Sequence, residues 1–348
     1  MGDIPPMAEA PGNKRWLNRF AWLLAALTLF LICSGGMVTS KGVGLAVPDW
    51  PTTFGYNMFL FPVSQWVGGI FFEHTHRLVA SVVGLLTIVL AAWLWRTEAR
   101  QWVLTLGFVA VGGVVLQGVL GGLRVTMLKD EIGIFHACLA QAFLGLVVFI
   151  ALVTSRSWSE PDRRVSRRLS LWLPVSITVL IYAQLALGAT MRHQHRDLAI
   201  LDFPAANGQL IPDVSDRNLR EINEWREARA LSTVTAAQIW LQMAHRVMAL
   251  AIFLGVVVYW FSQRRGPSVL KRLSDIWLFL VLAQITLGAW VIWSGKAADV
   301  ATAHVAVGAV LLGIGISSSA LAARLRGPVS DRVRATLQSR TPETVDVR

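Results

Sequence analysis

Residues 73–95 read Glu-His-Thr-His-Arg-Leu-Val-Ala-Ser-Val-Val-Gly-Leu-Leu-Thr-Ile-Val-Leu-Ala-Ala-Trp-Leu-Trp. No side chain after Arg77 in this stretch is charged, and a helix needs about 20 mostly apolar residues to cross a bilayer. Seven other stretches of the chain meet the same criterion. The eight predicted spans are residues 17–38, 74–95, 102–123, 132–155, 169–191, 237–262, 273–293 and 300–324. The sequence therefore predicts an all-α integral membrane protein with eight transmembrane helices.

The composition agrees with this class of protein: 54% of the residues are hydrophobic and only 15% are charged, whereas soluble domains are about a quarter charged. The net charge of +11 could suggest a nucleic-acid partner. However, the basic residues concentrate in alternate connections between spans, as the positive-inside rule describes. These residues are Lys14, Arg15, Arg19, Arg96, Arg100, Arg156, Arg163, Arg164, Arg167, Arg168, Arg264, Arg265, Lys271, Arg272, Arg324, Arg326, Arg332 and Arg334. We expect a multi-pass protein of the cell membrane, in contact with lipid and not with nucleic acid, with both termini in the cytoplasm.

The sequence also repeats itself, which indicates a duplicated four-helix unit. Residues 44–55, Gly-Leu-Ala-Val-Pro-Asp-Trp-Pro-Thr-Thr-Phe-Gly, resemble residues 197–208, Asp-Leu-Ala-Ile-Leu-Asp-Phe-Pro-Ala-Ala-Asn-Gly, at an offset of 153. Three further matches follow in the same order: His76-Arg77 with His245-Arg246, residues 117–121 with 284–288, and His136 with His304. Because four is an even number of spans, the two copies would share one orientation in the membrane, as a parallel repeat.

The predicted organisation follows from this repeat. A tail at residues 1–16 precedes an N-terminal bundle at 17–155, and a C-terminal bundle at 169–324 precedes a tail at 325–348. The second bundle contains a long outer loop at 192–236, in which a charged, amphipathic stretch from about Asp216 to Leu231 predicts a surface helix.

Four histidines are the first candidates for chemistry, because ionisable side chains inside a bilayer are costly and usually functional. His76, His136, His245 and His304 lie near the outer ends of spans two, four, six and eight, two in each bundle. Two imidazoles facing each other across a bundle can bind haem iron from both sides. A zinc site would need about four ligands close together. The alternative is that these histidines only donate hydrogen bonds between helices.

Glu73 marks a difference between the two bundles. It lies three residues before His76, on the same helix face, whereas Gln242 takes the matching place before His245. A carboxylate beside a haem site can act as a base or stabilise positive charge, and it can equally be a structural acid near a helix N-terminus. The asymmetry favours chemistry in the N-terminal bundle and a permanently held cofactor in the C-terminal one.

Other polar residues have weaker claims. Arg77 and Arg246 could bind haem propionates or extend to the membrane surface. We expect His74, His193 and His195 to be polar loop residues, and Asp49 and Asp202 to hold turns through side-chain to backbone hydrogen bonds. Cys33 and Cys138 lie within spans and form no metal or redox motif.

Taken in order, Glu73-x-x-His76-Arg77, the spans of His136, His245 and His304, and the duplicated loop resemble the heme A synthase family over residues 17–324. That resemblance implies an oxidoreductase that converts haem O to haem A, by oxidising a ring methyl group to a formyl group, for cytochrome oxidase assembly. It implies that His76 and His136 bind the substrate haem O, that Glu73 is the catalytic carboxylate, and that His245 and His304 are the iron ligands of a resident haem b. Haem O synthase, oxidase assembly factors and a second copy of the chain are the candidate partners. Some relatives carry a cysteine pair in the first outer loop, but residues 39–72 contain no cysteine.

Two other functions remain open at this point. A bis-His dihaem cytochrome would transfer electrons without altering a porphyrin. A transporter could also contain parallel repeats, although its helices would typically be broken near the middle of the membrane.

Overall fold

The computed structural model describes residues 11–159, 170–193 and 198–325, and helices dominate it. The helices are α1 (Pro11–Ser40), α2 (Gly68–Thr97), α3 (Gln101–Met127), α4 (Asp130–Val153), α5 (Arg156–Ser159), α6 (Trp172–His193), α7 (Asp216–Glu227), α8 (Ala236–Gln263), α9 (Ser268–Trp293) and α10 (Ala298–Leu325). The described ranges contain no β-strand. His195, several of the arginines after α5 and nearly all of the C-terminal tail lie outside these ranges.

Eight of these helices are long and apolar enough to cross a membrane: α1, α2, α3, α4, α6, α8, α9 and α10. The all-α, eight-span prediction is therefore confirmed. Two helices begin six residues before their predicted starts: α1 at Pro11 rather than at residue 17, and α2 at Gly68 rather than at residue 74. Helix α2 includes the polar Glu73 and His74 because both side chains are buried against other parts of the protein instead of facing water. His76 consequently lies two turns inside the helix.

Helix packing divides the spans into two sets of four. In the first set, α1 and α3 each contact both α2 and α4; in the second, α6 and α9 each contact both α8 and α10. Contacts between the sets join α10 to α1 and α4, and α4 to α6. Accordingly α4 and α10 are the most enclosed spans, with 56% of their apolar windows buried against 17–33% for the others. The order of contacts is the one that a duplication would produce, and the duplication itself stays a prediction.

Loops 41–67 and 198–235 lie at the same end of the two helix sets, which we call the loop face. Each loop contains a turn held by an aspartate. The Asp49 carboxylate accepts hydrogen bonds from the backbone N–H groups of Phe54 (2.8 Å) and Gly55 (2.9 Å). Asp202 accepts the same pair of bonds from Asn207 and Gly208, both at 2.8 Å. The predicted turn-holding role of the two aspartates is confirmed.

The predicted surface helix is present as α7, although it ends at Glu227. Its Leu219 and Ile222 pack on a small apolar cluster formed by the second loop and the start of α8. Arg226 is buried at its end and donates to the carbonyl groups of Leu198 (3.2 Å) and Ser232 (2.6 Å). The helix α7 therefore packs against the rest of loop 198–235 and covers part of the loop face.

Candidate functional site

The four intramembrane histidines share one arrangement: each imidazole lies against a glycine of the preceding spanning helix. The measure is the distance from the histidine Cε1 to a β-carbon built on the glycine. It is 2.9 Å for His76 on Gly35, 3.4 Å for His136 on Gly121, 3.4 Å for His245 on Gly188 and 3.1 Å for His304 on Gly288. Because a glycine has no side chain, the ring can approach the neighbouring helix closely, and its orientation is restricted by that contact.

The sequence reasoning missed the glycines of α1 and α6. A signal was available, because positions 35 and 188 differ by 153 residues, the offset of the matched loops.

His245 and His304 face each other in the second set of helices. Their ring centroids are 6.5 Å apart, with the ring planes inclined at 53°. Metal–imidazole bonds are about 2 Å long at zinc sites, so two such bonds plus the half-widths of two rings give roughly 6 Å between centroids. The separation therefore fits one metal ion between the two imidazoles. Gln184 donates to the His245 carbonyl oxygen (2.8 Å), which ties α6 to α8 at this level.

His76 and His136 occupy the equivalent positions in the first set. They are close enough for the charge of one to act on the other, and the Arg124 guanidinium acts on both. Gln117 donates to the His136 carbonyl oxygen (3.1 Å), as Gln184 does for His245. A glutamine of the preceding helix therefore binds the backbone carbonyl of two of the four histidines. Leu31 stands in α1 where α6 carries Gln184, so His76 has no such contact from that position.

Within the described ranges, the ring nitrogens of these four histidines have one hydrogen-bond contact, between Gln284 Nε2 and His304 Nε2 at 3.5 Å. The Nδ1 atom of each of the four is buried and has no hydrogen-bond partner within the described ranges. A buried polar atom without a partner costs about 1–3 kcal/mol, so four at equivalent positions call for an explanation. Imidazoles that bind a ligand supply one. Groups of three or more His, Cys, Asp or Glu side chains suited to a bare metal ion are absent from the described residues. A macrocycle that brings its own equatorial nitrogens suits pairs of histidines.

Glu73 is buried beside the first pair, with only 4% of its surface exposed. Its Oε2 accepts from the Val47 N–H (2.9 Å), and its Oε1 pairs with the Arg77 guanidinium (2.7 Å). Gln242 has the same mechanical role in the second set, accepting from the Ile200 N–H (2.8 Å) and donating to the Ile200 carbonyl oxygen (3.1 Å). Both residues therefore fasten a loop to a helix, but only the first set has a negative charge at this point.

Arg77 and Arg246 point into the loops. Arg77 donates to the carbonyl groups of Val47, Asp49 and Thr52 at 2.6–3.1 Å, in addition to pairing with Glu73. Arg246 donates to the carbonyl groups of Asp202 and Ala205, both at 2.7 Å. Their principal partners are backbone carbonyls, which neither sequence alternative included. Contact with a propionate stays a prediction, and the Arg246 Nε–H, buried without a partner among the described residues, is the donor available for it.

The expectation that His74 and His193 are polar loop residues is wrong. His74 is fully buried in α2, where its Nδ1 lies 3.2 Å from the Thr53 hydroxyl and its ring contacts Phe61 and Trp66. His193 is buried at the end of α6 and packs on Gly133 of α4. Hydropathy places both near span ends, and only the folding of the first loop and of α4 over them makes them interior.

Comparison with known proteins places this geometry in context. The family model COX15-CtaA, described as cytochrome oxidase assembly protein, matches residues 61–316. Heme A synthase of Shouchella clausii is 29% identical over 289 residues, covering 79% of this chain and 86% of the relative. Heme A synthase of Alkalihalophilus pseudofirmus is 25% identical over 311 residues, covering 86% and 94%. Heme A synthase of Methylobacterium radiotolerans is 27% identical over 316 residues, covering 79% and 80%. The matched region contains all four histidines.

Proposed function

The chain belongs to the COX15-CtaA family of cytochrome oxidase assembly proteins, and from that premise we propose that it is a heme A synthase, an oxidoreductase of haem biosynthesis. It oxidises a ring methyl group of haem O to the formyl group of haem A. The observation that carries the proposal is the presence of two histidine pairs, one in each set of four helices. Each imidazole lies against a glycine, and each has a buried ring nitrogen without a partner in the part of the chain that the structure describes. Relatives named heme A synthase that align over most of the chain support it.

The two pairs have different ligands in this proposal. His76 and His136 bind the substrate haem O, and His245 and His304 bind a resident haem b. The 6.5 Å separation of the His245 and His304 rings supports an iron between them. When bound there, haem b supplies one-electron redox chemistry. The difference between Glu73 and Gln242 supports the assignment of substrate to the first pair.

The overall oxidation is that of a methyl group to an aldehyde. The methyl carbon loses two hydrogens and gains an oxygen from water, and four protons and four electrons leave, the electrons to an external acceptor. Glu73 is the residue of this chain suited to the developing positive charge and to the protons. Each of its oxygens accepts one hydrogen bond from the protein, from Val47 or from Arg77, which fixes the carboxylate and leaves a lone pair on each oxygen. Burial strengthens its electrostatic effect.

The test is the substitution Glu73→Gln. The amide oxygen can still accept from the Val47 N–H, so the loop anchor is kept, as Gln242 shows in the second set. We expect the variant to retain haem b while haem A formation falls by about 100-fold or more, because the carboxylate charge is lost. The measurement is co-expression with a source of haem O, followed by extraction and chromatography of the haems.

The control is Glu98→Gln, since Glu98 is a carboxylate at the opposite end of α2 that pairs with Arg100. Haem A at the wild-type level from purified Glu73→Gln protein would remove Glu73 from the mechanism. Extracts of the wild-type protein that contain haem O but never haem A would instead indicate a dihaem cytochrome for electron transfer.

The protein is a multi-pass membrane protein by its eight apolar helices. We propose that it lies in the cell membrane with both termini in the cytoplasm and the loop face on the other side, because the basic connections lie at the end opposite the loop face. Haem O synthase, oxidase assembly factors and a second copy of the chain stay predicted partners.

A further inference from the structure

Arg124 lies in the last turn of α3, near the first histidine pair, and two glycines make room for its side chain. A β-carbon on Gly44 of the first loop would lie 3.1 Å from Nη1 and 3.3 Å from Nη2, and one on Gly133 of α4 would lie 3.2 Å from Nε. The guanidinium is thus enclosed between the loop and α4. Its helix position connects it to the site as well. Gly121, which contacts His136, lies three residues earlier on the same face of α3, so Arg124 is one turn closer to the loop face.

The Arg124 guanidinium has no hydrogen bond or ion pair with any residue in the described ranges. Arg77 and Arg246, by contrast, bind loop carbonyl groups, and Arg192 donates to the Gly36 carbonyl and the Ser40 hydroxyl. The charges of Glu73 and Asp130 act on Arg124 without direct contact. Arg124 is partly buried and its N–H groups are available to a ligand, and a guanidinium is the group best suited to bind a carboxylate through two parallel hydrogen bonds.

The second set of helices has no equivalent cation on α9. The offset of 167 that relates α3 to α9 takes position 124 to Val291. The unpaired cation is therefore a feature of the first histidine pair, the pair to which we assign the substrate.

We infer that Arg124 binds a propionate carboxylate of the porphyrin held by His76 and His136, and so sets the rotation of the macrocycle about the axis through the two imidazoles. The inference rests on the proposed function, which places haem O at this pair. A porphyrin held by its axial ligands alone can rotate in its plane, whereas a carboxylate fixed at Arg124 directs the propionate edge toward the loop face. Arg124 is a positioning residue in this role, because that rotation decides which ring substituent lies beside Glu73.

In the experiment, purified protein with its resident haem is titrated with either iron protoporphyrin IX or its dimethyl ester, and binding is monitored by absorbance. The ester has the same ring and iron but no carboxylates. We expect the wild-type protein to bind the free acid roughly 10- to 100-fold more tightly than the ester, the range typical of hydrogen bonds to charged groups. Arg124→Gln should remove this preference by weakening binding of the acid alone, and Arg124→Lys should retain part of it. The control is Lys129→Gln, an exposed cation five residues away, which should leave the preference unchanged.

The resident haem of the second pair reports on folding, since its absorbance should be the same in every variant. An Arg124→Gln protein that keeps the wild-type preference for the acid would overturn the inference, and so would a wild-type protein that binds acid and ester equally, whatever the variants do. Haem A formation separates the two proposals. If the protein makes haem A but shows no preference for the free-acid porphyrin, only the proposed role of Arg124 is rejected. An Arg124-dependent preference without haem A rejects the enzyme activity alone. Failure of the first pair to bind any porphyrin rejects both.

Discussion

At the scale of single residues, Glu73 and Gln242 show how one structural role can support two chemistries. Each accepts a hydrogen bond from a loop N–H, from Val47 or Ile200, and each is almost fully buried. The exchange of a carboxylate for an amide keeps the anchor and removes the charge. The backbone anchor therefore does not require a carboxylate, and the charge of Glu73 is used in its ion pair with Arg77 and is available to a bound ligand.

The glycines behind the histidines allow a residue-scale prediction. We expect Gly35→Ala to displace His76, because the new β-carbon would lie 2.9 Å from its Cε1, closer than ordinary contact. Overpacking of this kind costs about 1–3 kcal/mol, so haem affinity at the first pair should fall by roughly 5- to 100-fold. The matched control is Gly188→Ala, where the distance to His245 Cε1 is 3.4 Å and the methyl group fits. The measurement is the haem content of the two purified variants, together with their electron paramagnetic resonance signals. Equal effects of the two changes would show that the ring orientation does not depend on this contact.

At the scale of elements, the two loops are fastened to the bundles by the same kinds of bonds. In the first loop the Asp49 carboxylate holds the turn, Arg77 binds three carbonyl groups and Glu73 binds one N–H. This loop also contains Gly44, which contacts the Arg124 guanidinium. Its conformation therefore determines both the position of Glu73 and the space available to Arg124.

The Asp49 turn should respond to acid. Partial burial raises the pKa of the Asp49 carboxyl, but hydrogen bonds from the Gly55 N–H, the Thr52 hydroxyl and the Phe54 N–H outweigh it and hold the pKa below its ordinary value of 3.8. A depressed carboxyl pKa stabilises the folded loop above pH 3.8, and that contribution is lost as the pH falls through the lower folded-state pKa. We expect hydrogen exchange at Phe54 and Gly55 to accelerate, relative to the intrinsic rates, over that acidic range.

In the Asp49→Asn protein the same amides should exchange faster at neutral pH, because the free energy that protects them falls by about 1–2 kcal/mol. Their exchange, relative to the intrinsic rates, should then change little as the pH is lowered. Acid-induced opening of the same size in the Asn variant would contradict the role of Asp49. Asp202 offers an internal reference, because its turn stays intact in that variant.

At the scale of the whole molecule, the two sets of helices are joined along α4 and α10 and tied near the loop face. Arg192 of α6 donates to Gly36 and Ser40 of α1, and the Thr302 hydroxyl of α10 lies 3.3 Å from the sulfur of Met37. These contacts come from the helices that carry or face the histidines. The two histidine pairs are thus held in one frame at one end of the spans, and we expect the two proposed haems to exchange electrons with each other rather than across the membrane.

The orientation of this frame in the membrane is testable with single cysteines in a chain whose Cys33 and Cys138 are replaced by alanine. Leu210 is 85% exposed in the second loop, and Arg265 is exposed between α8 and α9. Leu210→Cys should react with a membrane-impermeant maleimide in intact cells, whereas Arg265→Cys should react only after lysis. The opposite pattern would place the loop face in the cytoplasm and contradict the positive-inside assignment.

The sequence by itself determined the class of fold, the eight spans, the candidate histidines and the two aspartate turns. Each of these depends on residues close together in the chain: a run of apolar side chains, a polar side chain within it, or a short loop that bonds to itself. Only the tertiary structure decided that α2 extends back to Gly68, that Arg77 and Arg246 bind loop carbonyls, that His74 is interior, and that Arg124 makes no hydrogen bond or ion pair with the residues that the structure describes. Those facts depend on contacts between residues that are distant in the sequence, such as Val47 with Glu73 and Gly35 with His76. They also depend on the space that each residue leaves for its neighbour. Local hydropathy carries no information about such meetings.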